Sequence, residues 1–204
     1  MHKEILNPDQ LLLLDFVRQF KKEYFLVGGT AIALYIGHRR SIDFDLFKFQ
    51  AIKPRSIIEK ISVSGFPYVV TRRVNEQLNV TINNVKFTFY QYPFKIAANQ
   101  TWENIVRMPA LLDLAAMKAY ALGNRSKWKD YVDMYFLLKD HFSVEQISLQ
   151  ANMLYGQLFS KKLFIAQLSY FKDINYSEPV EFLCPEVPDN EIKEFLIEKA
   201  IDIF

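Results

Sequence analysis

Phe25–Phe47 reads F-L-V-G-G-T-A-I-A-L-Y-I-G-H-R-R-S-I-D-F-D-L-F, and the changes of pattern inside it decide the fold. The apolar run Tyr24–Val27 ends at Gly28-Gly29 and reads as a short strand entering a tight turn. Thr30–Ile36 is apolar and rich in helix formers, so a helix starts at that turn. Ser41–Phe47 alternates apolar and acidic residues with period two, which predicts a strand with two unlike faces.

On such a strand Asp43 and Asp45 leave the same face, about 7 Å apart along the backbone. Two like charges on an otherwise apolar strand are costly unless something neutralises them. Mg²⁺ suits the role, because it prefers oxygen ligands and paired carboxylates hold ions that also grip nucleotide phosphates. The competing reading is a solvated sheet edge with two surface acids. Ile42, Phe44, Leu46 and Phe47 argue instead for a central, well-packed strand. Gly28-Gly29 lets a backbone approach a ligand, and the helix start offers free N–H groups to phosphate. Two arginines in His38-Arg39-Arg40-Ser41 either neutralise triphosphate charge or pair with the carboxylates; Arg40 is expected in a solvated loop.

Outward from this stretch the chain is rich in regular elements. Asn7-Pro8 opens a helix carrying the stripe Leu13, Phe16, Val17 and Phe20. Pro54–Ser64 reads as a helix, and Tyr68–Val74, Leu78–Ile82 and Val85–Tyr92 as strands, the last two joined by an Asn83-Asn84 hairpin turn. After Pro93 the pattern turns helical. Helices are expected from Pro109 to Leu122, over Lys127–Leu138, from a capping box at Ser143 and Gln146, and over Ser160–Phe171. A proline-bearing loop, Asp173–Pro188, precedes a last helix with the stripe Ile192, Phe195, Leu196, Ala200 and Ile203. The expected organisation is an α/β part over residues 1–100 and a helical part over 101–204.

Composition limits the function classes. The chain has 204 residues, half of them hydrophobic and 24% charged, with a formal net charge of +2. These values exclude a disordered or collagen-like chain. A single cysteine, Cys184, makes no internal disulfide and points to a reducing compartment. The longest apolar stretches are too short to cross a membrane, so a soluble cytoplasmic protein is expected. No zinc cluster, P-loop or nucleophile elbow is visible.

A second charged cluster, Lys118–Asp133, reads K-A-Y-A-L-G-N-R-S-K-W-K-D-Y-V-D. Lys118 interrupts an apolar helix, so it either snorkels or faces a polar cleft. Arg125 lies seven residues on, on the same face if the helix runs that far, although Gly123-Asn124 is an equally good break. Asp133 reads as a salt bridge or cap, and Lys127 and Lys129 as solvated. Arg125, Lys127 and Lys129 beside Trp128, with Lys161-Lys162 further on, also read as a surface for a polyanion such as RNA.

A glycine pair at a helix start, followed by an acid-apolar-acid strand, resembles the nucleotidyltransferase superfamily typified by DNA polymerase β-like enzymes. The pattern V-G-G-T-A, an apolar run, then H-R-x-S-x-D-x-D-L-F, is followed about seventy residues later by K-x-x-A-L-x-x-R-x-K-x-K-D-x-x-D. Together they resemble the AbiEii family of toxins of bacterial toxin–antitoxin systems. The resemblance implies an α+β fold: a polymerase β-like core, a mixed sheet with flanking helices, then a helical C-terminal half. It implies Mg²⁺-dependent transfer of a nucleotide from an NTP to an acceptor hydroxyl, on an RNA end such as tRNA or on a protein, and a cognate antitoxin as partner. Carried across, Asp43, Asp45, Lys118 and Asp130 form the catalytic set, with metal on Asp43 and Asp45. Gly28, Gly29, Thr30, His38, Arg39, Ser41 and Arg125 form the nucleotide-binding set, and Lys118 reaches the triphosphate. One departure stands out. Many nucleotidyltransferases carry a third carboxylate on a later strand, and Thr88 occupies the corresponding position here. Either another acid such as Asp130 takes the proton, or metal and water do so alone, or catalysis is weak or lost; the alternative function is a catalytically inactive module that keeps the fold and binds a partner protein or RNA.

Overall fold

The computed structural model describes residues 1–202; Ile203, the last residue of the expected C-terminal stripe, lies outside them. The chain forms two compact units, Met1–Ala110 and Leu111–Phe204.

In the first unit, α1 (Pro8–Leu12) and α2 (Leu14–Arg18) precede β1 (Phe25–Val27), α3 (Gly28–Ile36), β2 (Asp43–Lys48) and α4 (Pro54–Ser64). Then come β3 (Tyr68–Arg73), β4 (Gln77–Ile82), β5 (Val85–Gln91), β6 (Gln100–Trp102) and β7 (Val106–Met108). The helix expected after Asn7-Pro8 is broken at Leu13, where the backbone leaves helical geometry. Asn7 and Gln10 form a reciprocal capping box at its start.

The strands make one mixed sheet in the order β3-β4-β5-β2-β1-β7-β6. β2 is central, antiparallel to β1 and parallel to β5. Asn83 and Asn84 adopt positive φ in the turn that joins β4 to β5, as their sequence predicts. β3 is an edge strand with all six residues exposed, and its pairing with β4 shifts register between Val70 and Arg72. Ile42 is a correction: it precedes β2 and is half exposed. β6 and β7 were not expected. They span residues 100–108 and add to the β1 edge of the sheet.

Period two gives the sheet its two faces. Phe44 and Leu46, Phe87 and Phe89, and Leu78, Val80 and Ile82 are all essentially buried. Phe16 meets Phe87 edge-on and Phe20 packs on Phe89, so the N-terminal helices cover this face. Each such aromatic contributes about 1.5–3 kcal/mol on burial. The opposite face carries the alternate residues Asp43 and Asp45 of β2, Lys86 and Thr88 of β5, and Asn79 and Thr81 of β4.

The second unit is helical: α5 (Leu111–Leu122), α6 (Trp128–Asp140), α7 (Val144–Tyr155), α8 (Lys161–Leu168) and α9 (Asp189–Ile201). Ser143 and Gln146 form the expected capping box at α7. Tyr120 of α5 stacks on Tyr155 of α7 at 4.1 Å between ring centroids. Tyr135 of α6 meets Phe195 of α9 edge-on. Ile192, Leu196 and Ala200 of the C-terminal stripe are buried. Among the described residues no helix is long and apolar enough to cross a membrane.

Candidate functional site

In the first unit the predicted residues converge where β1 hands over to α3. Gly28 opens the helix at φ +75°, a conformation that penalises any side chain. A Cβ there would lie 2.3 Å from Oδ2 of Asp45, so the absent side chain is also what lets Asp45 approach the helix start. A Cβ on Gly29 would lie 2.5 Å from a terminal nitrogen of Arg39. The two glycines thus seat an acid and a base, one each. Arg39 is buried and donates to the carbonyl of Arg40 at 2.9 Å. His38 and Ser41 are buried beside it in sequence. Thr30 Oγ1 lies 2.9 Å from Ser41 Oγ and also bonds the main-chain carbonyl of Asp43. Thr30 and Ser41 therefore pin the first turn of α3 to the start of β2. Arg40 is corrected: its guanidinium reaches the carbonyls of Glu4 and Leu6 rather than standing in a solvated loop.

Asp43 and Asp45 are half-buried on one face of β2. Asp45 is the register partner of Thr88, and Thr88 in turn of Asn79. Asn79 pairs with the exposed Arg72 of β3. A polar row thus crosses four strands: Asp45, Thr88, Asn79 and Arg72. Asn79 and Arg72 were missed by sequence reading, because only the register brings them into line with the acids. Among the described residues no cluster of three or more His, Cys, Asp or Glu side chains is arranged to hold an ion. The donor set on this face is two carboxylates. Two half-buried oxygen donors, one seated in the space that Gly28 leaves open, fit a hard divalent cation such as Mg²⁺.

The second unit holds the other predicted cluster. Lys118, on α5, places Nζ 2.6 Å from Asp130 and 2.8 Å from Asp133, both on α6. All three are nearly or fully buried. Arg125, half exposed, adds a bond of 2.8 Å from Nε to Asp130. Burial alone pushes the Asp130 carboxyl up, but the charges of Lys118 and Arg125 outweigh it and hold its pKa below the ordinary value. Asp133 makes the salt bridge expected of it. The basic surface expected nearby is corrected. Lys127 bonds Glu178 at 2.6 Å, Lys129 bonds the same carboxylate, and Lys161 pairs with Glu145. Trp128 is 5% exposed and stacks on Tyr131. Those charges are matched inside the unit.

Comparisons with known proteins bear on the fold and the family. An uncharacterised protein of Aquifex aeolicus (strain VF5) is 28% identical over 188 residues, covering 85% of this chain and 88% of that one. The nucleotidyltransferase toxin MenT4 of Mycobacterium tuberculosis H37Rv shares the fold at a TM-score of 0.59 and 14% identity, over 95% of this chain and 83% of that one. JHP933 from Helicobacter pylori does so at 0.55 and 14%, over 98% and 90%. Residues 11–201 match the family described as nucleotidyl transferase AbiEii toxin, Type IV TA system. The chain belongs to the AbiEii nucleotidyltransferase toxin family.

Proposed function

We propose that the protein transfers a nucleotide from an NTP to an acceptor hydroxyl, and that Asp43, Asp45 and the Gly28-Gly29 turn form the reacting centre. The observation that carries this reading is the seating of Asp45 Oδ2 against the side-chain-free Gly28 at the start of α3. It brings a carboxylate and the free N–H groups of a helix terminus to one place. Asp43 and Asp45 would hold a Mg²⁺ ion, which when bound would neutralise phosphate charge and polarise the phosphoryl oxygens. The acceptor oxygen bonds to the α-phosphorus, the bond to the β-phosphate oxygen breaks, pyrophosphate leaves, and the hydroxyl proton passes to solvent. Arg39, held by the space at Gly29, adds fixed positive charge beside the turn. The chain's own share of catalysis is positioning and electrostatics.

Lys118 and Arg125 are proposed as triphosphate contacts on the strength of the second motif. Asp130 is proposed to position them. With its pKa depressed by two cations it is a poor base, and its carboxylate is engaged by both. A cytoplasmic location and an antitoxin partner belong to the same proposal, and membership of the toxin family supports the partner.

Thr88 beside Asp45 favours a second reading, a module that keeps the fold and binds RNA or protein without catalysis. One experiment separates the two. Each of the four NTPs, labelled at the α-phosphate, is incubated with the protein, Mg²⁺ and total RNA or total protein. Label on a macromolecule that disappears in Asp43→Asn and Asp45→Asn supports the enzyme. No transfer from any NTP, with nucleic-acid or protein binding intact, supports the module.

A further inference from the structure

The net charge of +2 conceals an uneven distribution. Residues 51–100 hold seven basic and two acidic side chains, while the rest of the chain holds 18 basic and 21 acidic. Four of the seven, Lys53, Arg55, Arg72 and Arg73, lie on the edge strand β3 or at the start of α4. There a cavity of about 560 Å³ is lined by Ile52, Lys53, Arg55, Arg73, Val74 and Asn75. Lys53, Arg55 and Arg73 are exposed cations and among the described residues make no ion pair; Glu23 is the carboxylate whose charge Lys53 feels, without a direct bond between them. Lys53 also stands at the N-cap of α4 without a side-chain cap bond, so the helix adds positive potential on the same side. Three cations around one cavity repel each other unless an anion joins them. The contrast with the second unit is direct, since Lys127, Lys129 and Lys161 all have carboxylate partners.

We infer that this cavity binds the phosphodiester backbone of a single-stranded nucleic acid. A strand fits better than a small polyphosphate, because the unmatched charge is extended. Arg73 lines the cavity, while the adjacent Arg72 pairs in register with Asn79, in the polar row that ends at Asp45. The two arginines therefore carry positive charge from the cavity around the edge strand to the face that bears Asp43 and Asp45. Ile52 and Val74 add apolar wall to the same cavity. The identity of the strand as acceptor rests on the nucleotidyl-transfer reading; the binding site does not.

The test is anisotropy of a fluorescein-labelled single-stranded RNA oligonucleotide, without NTP or Mg²⁺, across about 50 to 200 mM salt. Lys53→Glu/Arg55→Glu/Arg73→Glu should weaken binding at least about tenfold. It should also lower the slope of log affinity against log salt by about 2, at roughly 0.7 per lost phosphate contact. The milder Lys53→Gln/Arg55→Gln/Arg73→Gln, with an unchanged circular dichroism spectrum, should lower the slope equally, which excludes misfolding as the cause. Because the assay contains neither NTP nor Mg²⁺, a failure of the catalytic reading leaves this result standing. Affinity and slope unchanged in both triple variants would overturn the proposal. So would a cavity that binds pyrophosphate or inorganic phosphate, lost in the same variants, while RNA binding is indifferent to them.

Discussion

Asp45 and Thr88 face each other across the parallel pairing of β2 and β5. Under the proposed metal site on Asp43 and Asp45, the position where a third acid would share its charge is held by a hydroxyl. Neighbouring strands lie about 4.8 Å apart, so Thr88→Asp brings a third carboxylate within reach of the same ion. Without divalent cation the variant should melt below the parent, from like-charge repulsion; with Mg²⁺ the order should reverse. Melting curves with and without Mg²⁺ check both signs. An equal Mg²⁺ response in variant and parent contradicts a metal site on this face.

Asp43→Asn and Asp45→Asn each remove one charged donor and leave shape unchanged. Nucleotide incorporation should fall by about 10²–10³-fold, the usual scale for losing a preorganised charge contact. Melting temperature should hold or rise, because the variants relieve repulsion between two adjacent acids.

Gly28→Ala meets two penalties. The left-handed backbone costs a non-glycine residue about 1–2 kcal/mol, and the new methyl collides with Asp45. Activity should be lost with Asp45 displaced, while Gly65→Ala, also at positive φ but in open space, should cost stability alone. Comparing the pair by denaturant melts and by nucleotide incorporation separates strain from loss of the site.

Lys118→Met leaves Asp130 and Asp133 buried without their shared cation. Breaking such a pair costs about 3–5 kcal/mol, which for a chain of this length lowers Tm by roughly 6–20 °C. Adding Asp133→Asn to Lys118→Met should restore part of that loss. Recovery of stability without recovery of transfer would mark Lys118 as more than a structural cation.

Glu178 gives the protein an acid-sensitive element. Burial pushes its carboxyl up, but the bonds and charges of Lys127 and Lys129 bring its pKa from 4.5 to about 2. A depressed carboxylate stabilises the fold above its unfolded pKa. That contribution is present above about pH 4.5 and disappears as pH falls towards 2. In Glu178→Gln the pH dependence of unfolding should flatten across this window, as read by denaturant midpoints at stepped pH.

Locally encoded features were legible. The alternation around Asp43 and Asp45, the turn at Asn83-Asn84 and the box at Ser143 and Gln146 each depend on residues within a few positions of one another. What the sequence hid is non-local. β6 and β7 are three residues each, and their place depends on Arg107 meeting Phe25. Glu178 lies 51 residues from Lys127, so nothing near the lysines announces their partner. The row from Asp45 to Arg72 exists only through strand register, which also absorbs a shift at Val70. The basic excess of residues 51–100 was readable by counting, yet its meaning depends on the cavity that gathers it.

That shift at Val70 bears on behaviour in a crowded solution. An exposed edge strand with Tyr68, Val69 and Val70 uncovered is a template on which a second molecule can add its own strand. A bulge breaks the even spacing of hydrogen-bonding groups that such addition requires, and Arg72 and Arg73 repel the same edge of an identical copy. The irregularity in β3 therefore keeps the sheet from growing between molecules, and straightening it by deleting one residue would convert a solvated rim into a seed for aggregation.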